Sequence, residues 1–354
     1  MRRRTRVGPP YREARTAAGP LRWPAGLGAV VLAAALLTAC ATDGGANSIT
    51  LYNGQHPQLT QALVSAFEKQ TGIHVRVRTD DGIILADELL QEGSSSPADV
   101  YLTENSPELM MLTEHHRLST LPPSITGQIP GQDDSPTGSW VGLALRVSAL
   151  VYNPSRLSAE LPSSVLDLAQ PEWKGKVAIA PTDSDFPPQV GAVIAAYGQP
   201  AALSWLKGLK ANSSLYQDEE ATVAAVNRGQ AAVGLINNYY WYRLQLEVGA
   251  NHMHSKLYFF PNRDVGAIEN VSGAAVLASS HKKALADQFL AFLVSAQGQE
   301  ILASGDDFEY PARPGTAPNP VLPPLSQVNP AVINVVGLGD DQPAARLIQQ
   351  AGLT

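Results

Sequence analysis

A single cysteine, Cys40, stands in a chain of 354 residues. Disulfide frameworks, cysteine-rich zinc sites and iron–sulfur clusters each need several thiolates, so all three are excluded, while a metal site without cysteine stays open. The chain also lacks a Walker phosphate loop and a Gly-x-Ser-x-Gly elbow. ATP hydrolysis therefore belongs to some other chain, and nothing points to an exposed serine nucleophile. Positive charge is short as well: 25 Lys and Arg against 32 Asp and Glu give a formal net charge of −7. Seven arginines and one glutamate fall in residues 1–39, about +6, so the chain from Cys40 onward carries about −13. An acidic globule repels phosphate backbones, and nucleic acid is not an expected partner.

The basic arm is followed by the apolar run Ala25 to Leu37, which is too short for a comfortable membrane span and ends in Leu37-Thr38-Ala39-Cys40. A basic head, a short apolar core and small residues before a cleavage point predict a signal peptide over residues 1–39. Small residues directly before Cys40 resemble a bacterial lipobox, in which that cysteine becomes the lipidated first residue of the mature chain. Residues 40–47, small and polar, then form a flexible leash that tethers the protein outside the cytoplasmic membrane. The arginines near Met1 fit general secretion and twin-arginine export alike.

The length suits two domains, and 44% hydrophobic residues are enough to bury real cores. From Ser48 strand and helix patterns alternate. Ile49 to Tyr52 is a strand; Pro57 to Thr71 is a helix with Leu59, Leu63, Ala66 and Phe67 on one stripe and Gly72 as its stop. Ile73 to Val77 is a strand, Ile83 to Leu90 a helix and Ala98 to Leu102 a third strand, which favours a parallel sheet covered by helices. Pro130 to Gly138 is a loop, and Trp140 to Tyr152 a long apolar strand suited to passing between lobes. A second block has strands at Val177 to Ala180 and Ala231 to Ile236, with helices near Pro188 to Tyr197, Ala201 to Leu209 and Glu220 to Arg228. Val271 to Leu277 gives a later strand, Ala284 to Val294 an apolar helix and Ala344 to Ala351 a terminal helix, while Pro311 to Pro330 is irregular. The expected fold class is α/β, with two lobes, more than one crossing segment and a ligand cleft between them.

Four residues follow predicted strands, where side chains face the crevice of an open αβ sheet: His56, Glu104, Tyr239 and Tyr240. At a strand-to-helix turn two adjacent phenols can converge on one point. A trivalent iron gives them a reason to, because Fe³⁺ is a hard acid that favours anionic oxygen and strips protons from phenols. Two phenolates and one carboxylate match its three charges, and a neutral imidazole fills a fourth position. The same residues have commoner uses, the aromatics as packing at a helix start and the histidine and glutamate as surface loop residues. His115-His116 and His252-Met253-His254 have no second cluster at a spacing that completes a metal site and read as solvated loops.

The phrases Tyr52-Asn53-Gly54-Gln55-His56, Pro97-Ala98-Asp99-Val100-Tyr101 with Thr103-Glu104, Trp173-Lys174-Gly175-Lys176, Trp205 to Lys210, Ile236 to Tyr242, Ser272 to Leu277 and Ala351-Gly352-Leu353 resemble the periplasmic ferric-ion-binding proteins of iron ABC transporters. The resemblance implies the two-lobed, transferrin-like periplasmic binding protein fold (type II) with an interlobe cleft. One lobe is expected at 48–145 plus about 268–322 and the other at 146–267 plus about 323–354. It also implies Fe³⁺ bound by His56, Glu104, Tyr239 and Tyr240, no catalysis, a monomer, and delivery to an ABC permease driven by a separate ATPase. Many relatives complete the metal's shell with a phosphate. Here Asn237 fits that pattern, but the turn reads Thr182-Asp183-Ser184-Asp185-Phe186 and Glu219 replaces an Asn, and carboxylates beside a phosphate repel it. Water, another synergistic anion, or one acid among Asp183, Asp185 and Glu219 is expected instead, with Thr182 and Ser184 as possible hydrogen-bond donors. The three acids Asp218-Glu219-Glu220 also fit a plain surface helix start. The alternative function keeps the fold and binds a polyamine, a thiamine-like molecule or a sugar phosphate.

Overall fold

The computed structural model describes Gly45 and residues 47–354 except 158, 159, 332 and 334, and only the backbone of 335 and 336. Cys40, the arm and apolar run before it, and most of the leash lie outside the described residues.

Strand β1 (Ser48–Gly54) runs into helix α1 (Pro57–Thr71), which has Pro57 in its first turn. Gly72 closes the helix at φ +70°, a conformation glycine adopts without a Cβ penalty, and its N–H donates to the Glu68 carbonyl at 2.8 Å. β2 (His74–Thr79), α2 (Gly82–Glu92), β3 (Val100–Thr103), α3 (Ser106–Glu114), the single turn α4 (Pro123–Thr126) and the long strand β4 (Val141–Tyr152) complete the first half. The second half holds β5 (Val177–Ile179), α5 (Phe186–Tyr197), α6 (Gln199–Asn212), β6 (Ser213–Leu215), α7 (Glu219–Asn227), β7 (Val233–Asn237), α8 (Asn238–Val248) and β8 (Lys256–Tyr258). β9 (Glu269–Val276) returns the chain to the first half, followed by α9 (Lys283–Leu293), α10 (Ala296–Ser304) and the short β10 (Tyr310–Pro311). Two single turns, α11 (Leu325–Val328) and α12 (Val335–Leu338), lead to α13 (Gln342–Ala351), which packs on α5 and α6.

The strand order is β2-β1-β3-β9-β4-β7-β5-β6, with β10 and β8 also pairing with β4. β1 pairs in parallel with β2 and β3, and β5 pairs in parallel with β6 and β7, as the alternating pattern predicts. The middle is antiparallel: β9 runs opposite to both β3 and β4, and β4 opposite to β7. β4 carries the chain out of the first half and β9 carries it back, so the two must run in opposite directions. β4 changes partners within its length: Val141–Val147 pairs with β9, whereas Ser148–Tyr152 pairs with β7.

Each half has an aromatic anchor. Phe67 of α1 is fully buried against Phe289 and Phe292 of α9, ring centroids 5.0 and 5.7 Å away, a burial that contributes about 2–3 kcal/mol. Trp205 of α6 stacks on Phe186 of α5 and donates its indole N–H to the Val165 carbonyl at 3.0 Å. Helix α3 has no counterpart in the sequence reading. Ser106 to Leu112 are all buried, so it is apolar nearly all round and lacks the one-sided period that reveals a surface helix.

Candidate metal centre

The carboxyl ends of β1, β3, β5 and β7 lead into the N-termini of α1, α3, α5 and α8 along one edge. Open αβ sheets bind ligands at such an edge, and the positive ends of the helix dipoles favour anionic groups there. His56 sits directly before α1, Glu104 between β3 and α3, Asp185 directly before α5, and Tyr239 and Tyr240 in the first turn of α8. Helix α8 starts with no intervening residue after β7. Asn238 Oδ1 accepts the Val147 N–H at 2.8 Å and the Asn237 N–H donates to the Glu219 carboxylate, pinning this turn. The tyrosine rings consequently lie together, centroids 4.2 Å apart and tilted by 37°.

The Tyr239 hydroxyl donates to Asp185 Oδ2 at 2.7 Å and lies 3.1 Å from Glu104 Oε2; the Tyr240 hydroxyl donates to the same Asp185 Oδ2 at 3.2 Å. His56 Nε2 is 3.4 Å from Glu104 Oε1, and its ring meets Tyr239 edge-on with centroids 5.0 Å apart. All four strand-end candidates thus converge, and Asp185 joins them. Counted over His, Cys, Asp and Glu alone, no group of three among the described residues is arranged to hold a metal, so a cation held here would have to draw on the two phenols as well.

Electrostatics leave this cluster protonated but for one carboxylate. Burial, then repulsion from Asp185, pushes both phenols and the Glu104 carboxyl well above their ordinary values. Burial pushes Asp185 up too, but the Arg146 guanidinium and hydrogen bonds from Tyr239 and Asn237 outweigh it and hold this acid below the usual carboxylate range. His56 falls to about 3 through burial and then the nearby Arg243, so its imidazole is neutral. The set of acids around one fixed anion is one that a strong cation can discharge.

Arg146 was not foreseen, although a lone charge inside the apolar run Val141 to Tyr152 was a readable signal. Fully buried, it donates to the Glu104 carbonyl, to Asn105 Oδ1 and, at 3.2 Å, to Asp185 Oδ1; Glu309 Oε1 is 3.9 Å away. Burial disfavours its charge, but the Asp185 carboxylate beside it more than compensates. Asp307, 3.4 Å from His56 Nδ1, had no sequence signal beyond its type.

The remaining candidates divide. Asp183 accepts the Glu219 and Asp185 N–H groups at 2.9 and 3.0 Å, and burial, then Asp185, lifts its carboxyl to about 7. Glu219 is 5% exposed and points inward, Asp218 caps α7 by accepting the Ala221 N–H at 2.7 Å, and only Glu220 faces solvent as a surface acid. Thr182 is exposed, and neither it nor Ser184 hydrogen-bonds through its side chain to these groups among the described residues. His115, His116, His252 and His254 are exposed, as expected, and His115 and His252 bond back to the carbonyls of Met111 and Val248. Beside Tyr240 a groove of about 820 Å³ opens between α1 and α8, with Gln58, Glu220, Arg243 and Asp307 on its walls.

Residues 94–333 match the model of the bacterial extracellular solute-binding protein family. The chain is 40% identical over 306 residues to the Fe(3+)-binding periplasmic protein of Serratia marcescens, covering 86% of this chain and 90% of that one. It is 38% identical over 325 residues to the major ferric iron-binding protein of Neisseria gonorrhoeae, covering 91% and 97%. Iron-bound HitA from Pseudomonas aeruginosa superposes with a TM-score of 0.83 at 40% identity, over 86% of this chain and 99% of that one. The architecture is the two-lobed, type II α/β fold of such binding proteins. On the strength of matched sequence, matched fold and the phenol pair at the cleft, the chain belongs to the periplasmic ferric-ion-binding proteins, a family of solute binders and not of enzymes.

Proposed function

We propose that this chain binds Fe³⁺ outside the cytoplasm and hands it to an ABC permease whose ATPase is a separate chain. His56, Glu104, Asp185, Tyr239 and Tyr240 are the proposed ligands. The observation that carries this reading is the single Asp185 oxygen on which both phenolic hydroxyls converge, with Glu104 and His56 beside it. A cation placed there would replace the phenolic protons and bring five donors to one centre.

Charge supports Asp185 in preference to an external anion. Glu104, Asp185 and two phenolates bring four negative charges to a trivalent ion, and the buried Arg146 cancels the one left over. A phosphate would add charge beside Asp183 and Glu219, whose carboxyls already lie close to Asp185 in the field that raises them. An organic ligand held by stacking would need ring faces, but the two hydroxyls are aimed at a carboxylate. Five protein donors would leave an octahedral ion one position for water.

The lobe boundaries proposed are 48–145 with about 268–322, and 146–267 with about 323–354, supported by the change of partners of β4 between Val147 and Ser148. Lipid attachment at Cys40 is proposed from the sequence alone, and the protein is taken to act as a monomer. No helix among the described residues is long and apolar enough to cross a membrane. The test is to add ferric nitrilotriacetate to purified iron-free protein. A reddish phenolate-to-iron charge-transfer band is expected, and Tyr239→Phe and Tyr240→Phe should each abolish it; a wild type that stays colourless refutes the ligand set.

A further inference from the structure

His56 has two unlike neighbours. Nδ1 lies 3.4 Å from Asp307 Oδ1, and Nε2 lies 2.9 Å from Nη1 of Arg243, a group that can only donate. A donor on Nε2 requires that nitrogen to present its lone pair, so the ring hydrogen is on Nδ1, towards Asp307. The nitrogen nearest Glu104 is therefore the one able to ligate, and a cationic group already stands on it.

Arg243 comes from α8, three residues beyond Tyr240, and His56 from the start of α1, so the contact spans the groove between them. The same Nη1 has a second partner on the solvent side, Glu220 Oε1 at 3.5 Å, whose side chain is 53% exposed. Tyr240 offers its ring to the guanidinium at 5.9 Å. Arg243 is itself 29% exposed, so its head has room to turn.

The geometry points to Arg243 as a resident competitor for the metal. In the iron-free protein its guanidinium occupies the His56 lone pair; loading requires it to release His56 and turn to Glu220. Arginine cannot shed its charge, so every incoming cation meets both the lost contact and the repulsion. A trivalent ion held by four anions overcomes that cost, whereas a weakly held cation does not, which makes Arg243 a specificity-setting residue. This inference rests on His56 being a ligand, as proposed above.

The experiment titrates the full iron-free chain with ferric nitrilotriacetate, following the charge-transfer band, for the wild type, Arg243→Ala and Arg243→Lys. R243A should half-saturate at about tenfold less iron, because a neighbouring like charge is gone. R243K should stay within about threefold of the wild type, because the ammonium keeps the charge. An arginine that merely buttressed His56 would give weaker binding on removal, so unchanged or weaker binding in R243A overturns the inference, as does a gain in R243K equal to that in R243A. A wild type that never colours overturns the underlying ligand set and this inference with it; a coloured wild type without a gain in R243A overturns this inference alone.

Discussion

Replacing Asp185 by Asn tests the charge balance most directly. The side chain keeps its size and can still accept from Tyr239 and Tyr240, now 2.7 and 3.2 Å from its Oδ2, but one negative charge disappears from a site where Arg146 is fully buried. With iron bound, three anionic ligands would face the ion and Arg146 together, leaving one uncompensated positive charge. Removing one partner of a buried charge pair costs about 3–5 kcal/mol. The iron-free protein bears that cost too, because the pair exists there, with Glu309 at 3.9 Å and the Asn105 oxygen still serving the guanidinium; what is specific to the loaded state is the exchange of an anionic ligand for a neutral amide, and iron affinity should fall by about 100-fold. Titration with ferric nitrilotriacetate measures this through the charge-transfer band. Millimolar phosphate or carbonate should recover much of the loss in the variant and change the wild type little, since an external anion then takes the vacated place. A variant that binds iron as tightly as the wild type, with no response to anion, would refute both Asp185 as a ligand and the role of Arg146.

Two further outcomes concern pH and have opposite signs. Both phenols and Glu104 must lose protons that burial holds on, so iron affinity should rise with pH and fall in acid, which titrations between pH 5.5 and pH 8 (roughly the range in which phenolate ligands compete with protons) would reveal. The iron-free protein should behave the other way. Glu108, Glu309 and Glu269 are raised to about 7 by burial, so the folded state binds more protons than the unfolded state between their ordinary value of 4.5 and 7. Its stability should therefore decline as pH climbs through that window, and urea denaturation at either end would detect the decline; Glu269→Gln should flatten part of it.

Much of the site was legible because the chemistry sits at strand ends. The order strand, helix, strand, read from Ile49 onward, places His56 and Glu104 at one sheet edge, and the adjacency of Tyr239 and Tyr240 needs no structure to be noticed. Glu219 was harder: its neighbours Asp218 and Glu220 do the ordinary work of a helix start, one as the cap and one facing solvent, and only the turn of the helix sets the inward acid apart from them. Helix α3 was invisible because burial on every side erases amphipathic periodicity. The antiparallel centre of the sheet was hidden for a different reason, since β3 and β9 are joined in space by strands far apart in sequence.

By itself the sequence determined the fold class, the strand-end positions of the proposed iron ligands and the acidic character of the chain from Cys40 onward, because periodicity, turn residues and residue type are local properties. Only the tertiary structure decided which of three nearby acids faces both phenols, that a buried arginine fixes that acid as an anion, and that a second arginine stands on the histidine. Those outcomes depend on distances and on loss of solvent between segments remote along the chain. Both are properties of packing, which no stretch of sequence carries alone.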